Sequence, residues 1–237
     1  MKKIFLILIF LSISGIIYYA LTFPDISRFK KENPKRTSFM EYREKESKKK
    51  GRKYKITQIW VPLHRVSPYL IKAVLIAEDD KFWNHEGFDF ESIKKAIEKD
   101  VKKKRFAFGG STITQQLARN LYLTPEKTVF RKIKEAIITF RIERALTKKR
   151  ILELYLNVAE WGEGIFGIES ASRHYYNKPS SELTPEESAR LAATLPNPKK
   201  YSPAEESKYI EKRTKLIYDI MIMRGIIPPE YEELTPP

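Results

Sequence analysis

The sequence predicts an all-α fold preceded by one membrane-spanning helix. Three observations carry this reading. Past Ile56 the apolar residues recur at helical spacing, no run alternates apolar and polar residues as a half-buried strand would, and Ser, Thr, Pro and Gly stand where helix caps belong. The 237 residues, 42% hydrophobic and 12% aromatic, are enough for a real core and suit one catalytic domain with accessories. With 32% charged residues the chain is neither compositionally disordered nor polytopic in a membrane. Zero cysteines exclude a disulfide framework, a thiolate metal site and a Cys nucleophile. His64, His85 and His174 lie too far apart in the chain to suggest a local metal cage.

The first element is the uncharged run Ile4 to Phe23, which matches the ~20 residues a helix needs to cross a bilayer. Residues 1–24 are therefore expected to be a cytoplasmic tip and transmembrane anchor. A cleaved signal peptide is the rival, but its apolar region runs only ~7–15 residues, and Ala20-Leu21-Thr22 is a poor cleavage site. Residues 25–57 form a basic stretch: Arg28 to Lys55 holds 13 Lys/Arg against four Glu, most of the formal net charge of +15. The expectation is a solvated linker, poorly ordered, lying along anionic lipid headgroups and not binding nucleic acid. Counted alone, those basic residues would keep the following domain in the cytoplasm.

The third unit, 58–237, reads as a series of helices. Ser67-Pro68 fits an N-cap with proline at the first helical position and opens the apolar stretch Leu70 to Ala77. Asp89 fits the cap of a basic amphipathic helix through Ile93, Ala96, Ile97 and Val101, ending in Lys102-Lys103-Lys104-Arg105. Thr112 with Gln115, and Thr184 with Glu187, have capping-box spacing. Further helices are expected over about 128–147, 149–158, 184–195 and 204–224, the last stopped by Gly225 and Pro228-Pro229.

Chemistry first shows at the end of the apolar helix, where Glu78, Asp79 and Asp80 crowd a helix C-terminus. The helix dipole and mutual repulsion both favour protonation there, which suits general acid or base work. A solvated acidic helix end pairing with Lys81 fits the same pattern. A second carboxylate, Glu135, shares a helix side with Ile138 and Ile142, opposite the apolar stripe Phe130, Ile133, Ile137 and Phe140, and is expected to be half buried. Arg131, one turn earlier, allows a plain surface ion pair. Two acids on different helices are the minimum for glycosidic chemistry. Between them Gly109-Gly110 turns the chain into a helix whose first turn presents Ser111, Thr112, Gln115 and Gln116; with Arg119, Arg131 and Lys132 this equips a diphosphate site, or simply a capped helix facing water. Gly162-Glu163-Gly164-Ile165-Phe166-Gly167 satisfies a dinucleotide fingerprint literally, but it follows a helical stretch in a chain with no strand-helix-strand alternation, so a Rossmann fold is excluded.

Taken together, Glu78-Asp79 with Phe82 and His85, then "GGSTITQQLARN", "RKIKEA" and "ILELYLN" in that order, resemble the peptidoglycan glycosyltransferase family over about Trp60 to Arg224. "IWVPLHRVSPYLIKAVLIAED" looks like the monofunctional biosynthetic branch, and the end of the chain at Pro237 leads to the expectation of no appended transpeptidase. The resemblance implies a lysozyme-like fold of two lobes, head and membrane-apposed jaw, that polymerises lipid II onto a growing glycan carried on undecaprenyl diphosphate. It implies Glu78 as general base and Glu135 as the group assisting diphosphate departure, directly or through a divalent cation, Mg or Mn. No organic cofactor is implied. Ser111, Thr112, Gln116, Asn120, Arg131 and Lys132 match the donor side, and Asp79, Phe82 and His85 match positions that order the site. Arg119 replaces the family's usual Lys, exchanging a point charge for a planar fork. The partners implied are the lipid-linked glycan, the membrane and other cell-wall synthesis proteins. The resemblance also places the domain on the extracytoplasmic face of the cytoplasmic membrane as a single-pass protein, against the basic-residue count.

Overall fold

Helix caps written into the sequence set most of the architecture. The computed structural model describes residues 25–91, 94, 110–126 and 128–228, together with residues 7, 9, 10, 14 and 15. Its described α-helices are α1 (Ser38–Lys49), α2 (Pro68–Glu78), α3 (Ile113–Tyr122), α4 (Val129–Ala145), α5 (Lys148–Val158), α6 (Ile168–Tyr176), α7 (Pro185–Thr194) and α8 (Lys208–Met223). Both capping boxes form, Thr112 with Gln115 on α3 and Thr184 with Glu187 on α7. Thr128 and Thr147 cap α4 and α5. Ser67 stands at the N-cap position of α2, but its hydroxyl donates to the Leu183 carbonyl at 2.8 Å instead of capping. That bond ties the start of α2 to the chain entering α7.

The expected anchor over Ile4 to Phe23 lies almost wholly outside the described residues, as does the helix expected from Ile93 through Lys102-Lys103-Lys104-Arg105. Among the described residues no helix is long and apolar enough to cross a membrane.

The segment expected to be a solvated linker is instead folded onto the domain. Thr37 caps α1, whose Phe39 and Met40 pack against Phe166. Arg43 on α1 donates to the buried Glu160 carboxylate through Nε at 2.9 Å and Nη2 at 2.7 Å. A sequence of charged residues hides this because the anchoring contacts, Ile26, Phe29, Phe39 and Met40 among the apolar ones and Arg43 and Arg150 among the polar ones, are scattered too widely to show as periodicity.

A three-stranded sheet also forms where no strand pattern is visible: β1 (Thr57–Gln58) pairs parallel with β3 (Ile165–Phe166), which pairs antiparallel with β2 (Glu160–Gly162). Strands of two or three residues are too short to alternate. The literal dinucleotide fingerprint is therefore a hairpin leading into α6. Gly167 holds φ 82 at the N-cap of α6, and a Cβ there would sit 2.8 Å from the Asn157 carbonyl oxygen, so only glycine fits.

Two helix groups share one buried cluster that includes Leu70, Val74, Leu117, Ile142, Leu152, Leu191 and Met221. In one, α2 packs on α7 and both meet α8; in the other, α3 packs on α4 and α5. The C-terminus of α2 and the first turns of α3 lie where the groups adjoin.

Helix α4 corrects one expectation outright. Glu135, Ile138 and Ile142 are its buried side, with Glu135 fully buried, while Phe130 is 80% exposed, Ile133 52% and Phe140 52%. The stripe that a soluble helix would turn inward faces out.

Candidate active site

The three successive acids at the end of α2 are sent in three directions. Helix α2 ends at Glu78 and the chain extends through Asp79, at φ −164 and ψ 74, which splays the side chains apart. Asp80 points outward and takes two bonds from Arg224, at 2.5 and 2.9 Å. Lys81, the expected partner of this acidic end, pairs with Glu91 instead.

Asp79 is buried and does structural work. Its Oδ2 accepts the Ile113 N–H at 2.9 Å, holding the N-terminus of α3, and its Oδ1 lies 2.8 Å from His85 Nε2. The Gly87 N–H donates to His85 Nδ1 at 3.1 Å, so the ring proton sits on Nε2 and is given to Asp79. Phe82, fully buried, packs edge-on to His85, with Lys148 Nζ 4.6 Å from its ring centre on another side. The Thr112 hydroxyl donates to the Gly87 carbonyl at 2.7 Å and accepts the Gln115 N–H, so both its bonds are used by the fold. Gly87 is the hub. Its φ of 86 and a Cβ position 2.7 Å from Thr139 Cγ2 leave room for glycine alone.

Glu78 alone of the three turns toward α3 and α8 together. Its side chain is 12% exposed; Oε2 accepts from Gln116 Nε2 at 2.8 Å and Oε1 lies 3.5 Å from Arg213 Nη2. Burial raises its pKa above the ordinary carboxylate range, against the pull of the Gln116 bond, Arg213 and Arg119, while Asp79 adds to the rise. Behind Gln116 stands Tyr155, whose hydroxyl donates to Gln116 Oε1 at 3.1 Å. Arg213 also donates to the Ala77 carbonyl at 3.1 Å.

Glu135 has the opposite setting. It receives Arg131 on Oε2 and Lys132 on Oε1, and Lys132 Nζ also donates to Ser111 Oγ at 3.2 Å. Ser111 precedes the N-cap of α3 and Gln116 lies in its first turn, so Glu78 reaches that end of the helix directly and Glu135 reaches it through Lys132. Arg119 is half-buried on α3 beside Glu78, and Asn120 is buried one residue on. The structure thus groups Glu78 with Gln116 and Arg119, groups Glu135 with Arg131 and Lys132, links the second group to the entry of α3 through the Lys132–Ser111 bond, and uses Asp79, Phe82, His85 and Thr112 as framework. Sequence reasoning missed Arg213 and Tyr155. Tyr155 reads as one apolar residue in the buried face of α5, and Arg213 as one cation among many on α8.

A model of the family described as "Transglycosylase" matches residues 44–222, beginning inside the segment expected as linker. Curated relatives include a biosynthetic peptidoglycan transglycosylase of Dechloromonas aromatica, 51% identical over 185 residues covering 78% of this chain and 80% of the relative. A namesake from Nitrosospira multiformis is 43% identical over 210 residues, 89% of this chain and 91% of its own. Another from Aromatoleum aromaticum is 53% identical over 169 residues, 71% and 74% respectively.

Proposed function

The chain belongs to the transglycosylase family and is a peptidoglycan glycosyltransferase of cell-wall biosynthesis, and from that premise we propose how its cleft extends a glycan strand. The acceptor is lipid II and the donor is the growing glycan on undecaprenyl diphosphate. Glu78 takes the proton of the acceptor GlcNAc 4-hydroxyl as that oxygen attacks the donor's anomeric carbon. The anomeric C–O bond breaks, its electrons leave on the diphosphate, and configuration inverts to a β-1,4 bond. Arg131 and Lys132, held side by side by Glu135, meet the charge on the departing diphosphate. Both Glu135 oxygens already receive bonds from these two cations, and among the described residues no three His, Asp or Glu converge as a metal cage. That donor set suits a carboxylate neutralised by side-chain cations and does not suit one free to ligate Mg or Mn.

The single observation that carries this reading is Glu78 itself: a carboxylate with raised pKa, one oxygen hydrogen-bonded by Gln116 and the other 3.5 Å from Arg213, beyond a close hydrogen bond. Glu78→Gln keeps volume and hydrogen bonding but removes the base. Lipid II polymerisation should fall by roughly 10² to 10⁴-fold with thermal stability unchanged. A variant retaining half the wild-type rate moves the base elsewhere.

The two helix groups on either side of Glu78 support a two-lobed, lysozyme-like arrangement, with α4 on the lobe that meets the bilayer. What supports the membrane contact is the outward stripe of α4, Val129, Phe130, Ile133 and Phe140, each more than half exposed. The domain then works on the outer face of the cytoplasmic membrane, tethered by the run Ile4 to Phe23.

A further inference from the structure

Gln116 has two ends and the cleft treats them differently. An ionised carboxylate only accepts, so the amide must turn its Nε2 to Glu78, which leaves its Oε1 aimed back into the protein. A buried carbonyl oxygen with no donor is costly, and the group that answers it is the Tyr155 hydroxyl. Tyr155 is 1% exposed, and burial pushes its phenol well above the ordinary tyrosine range, with the charge of Glu78 pushing the same way. The phenol therefore stays protonated across the working pH range and donates throughout. The groups facing Glu78 are Gln116 and Arg119 from α3, Arg213 from α8 and the neighbouring Asp79.

We propose that Tyr155 is a positioning residue: its hydroxyl locks the Gln116 amide in the one orientation that donates to Glu78, so that Oε2 is occupied and Oε1 takes the acceptor's proton. This rests on Glu78 being the general base. Without the lock the amide is free to turn its oxygen toward Glu78, where two acceptors face each other, and the carboxylate then holds its proton to higher pH.

The test is the pH dependence of kcat for lipid II polymerisation by the full chain in detergent. Tyr155→Phe removes one buried oxygen, and the acidic limb of the profile should move upward by roughly half to one pH unit, the worth of part of one charge-assisted hydrogen bond. Gln116→Met should move it at least as far, and the double variant should move it no farther than Gln116→Met alone, because both changes break one chain. Should Tyr155→Phe fail to fold, 4-aminophenylalanine at position 155 keeps a weaker donor in place and should shift the limb part of the way. An unmoved limb in a folded position-155 variant overturns the proposal, and so do additive shifts in the double variant. Glu78→Gln separates the two readings: an active Glu78→Gln removes the base, whereas an inactive one beside an unmoved Tyr155→Phe profile removes only the lock.

Discussion

Arg213 holds the Glu78 carboxylate from the side opposite Gln116, at 3.5 Å, and its charge opposes the rise that burial imposes. Arg213→Ala should therefore raise the Glu78 pKa further. A general base works deprotonated, so the acidic limb of kcat against pH should move up, and the rate at neutral pH should fall as more of the enzyme carries the proton. Arg213→Lys should restore part of the shift. A downward movement in Arg213→Ala would mean that some other group titrates. Residues of this kind test what a sequence shows. Three acids at a helix C-terminus break an electrostatic rule that can be read locally, but the pattern does not choose among them, and only the family resemblance singles out Glu78. Its pairing with Gln116 and the latter's with Tyr155 span 38 and 39 residues, and nothing local marks them. Asp79 and Thr112 are expected site residues by resemblance, and their use as framework shows only once both bonds of each are counted.

Among the ion pairs that join α1 to the domain, Arg43–Glu160 is the buried one: the Glu160 side chain is 3% exposed and that of Arg43 16%. Burial raises the Glu160 pKa and Arg43 pulls it back. Removing one partner strands the other, so Arg43→Ala should destabilise the domain by about 3–5 kcal/mol, whereas Arg43→Met with Glu160→Leu should cost far less because no buried charge remains. Urea unfolding of the two variants checks the difference; equal losses would mean that α1 contributes packing alone. Two capped helices were legible, since Thr112 with Gln115 and Thr184 with Glu187 announce starts that the fold uses, whereas Thr147, read as the end of a helix over 128–147, instead caps α5. Helix α6 and the short strands were not legible, because their buried faces carry Glu160, Glu169, Ser170 and Ser172 alongside apolar residues and so defeat a hydrophobic count. The periodicity of α4 was legible and the depth of one side was not: Glu135, expected half buried beside Ile138 and Ile142, is fully buried with them, while Phe130, Ile133 and Phe140 of the opposite stripe are exposed and Ile137 is half-buried.

At the scale of the whole molecule that inverted helix makes a prediction about surfaces. A protein lacking residues 1–24 should remain folded and still bind anionic vesicles, through basic residues worth about 1 kcal/mol each near such a surface and through the apolar stripe. Phe130→Ser with Ile133→Ser should weaken sedimentation with vesicles and leave a residual binding that salt abolishes, since only the electrostatic part is screened. Binding unchanged by the double substitution would take α4 off the membrane. The segment between the proposed anchor and the domain bears on the same geometry. Arg150 grips it, donating to the Phe29 carbonyl at 2.8 Å, the Glu32 carbonyl at 2.7 Å and Asn33 Oδ1 at 2.7 Å. A flexible tether of this length would let the domain wander over about 30 Å. Gripped in this way, residues 29–33 belong to the domain and not to a tether, so under the proposed anchoring only the few residues before Phe29 would set the domain's reach, and it would hang as a bracket hangs from a wall.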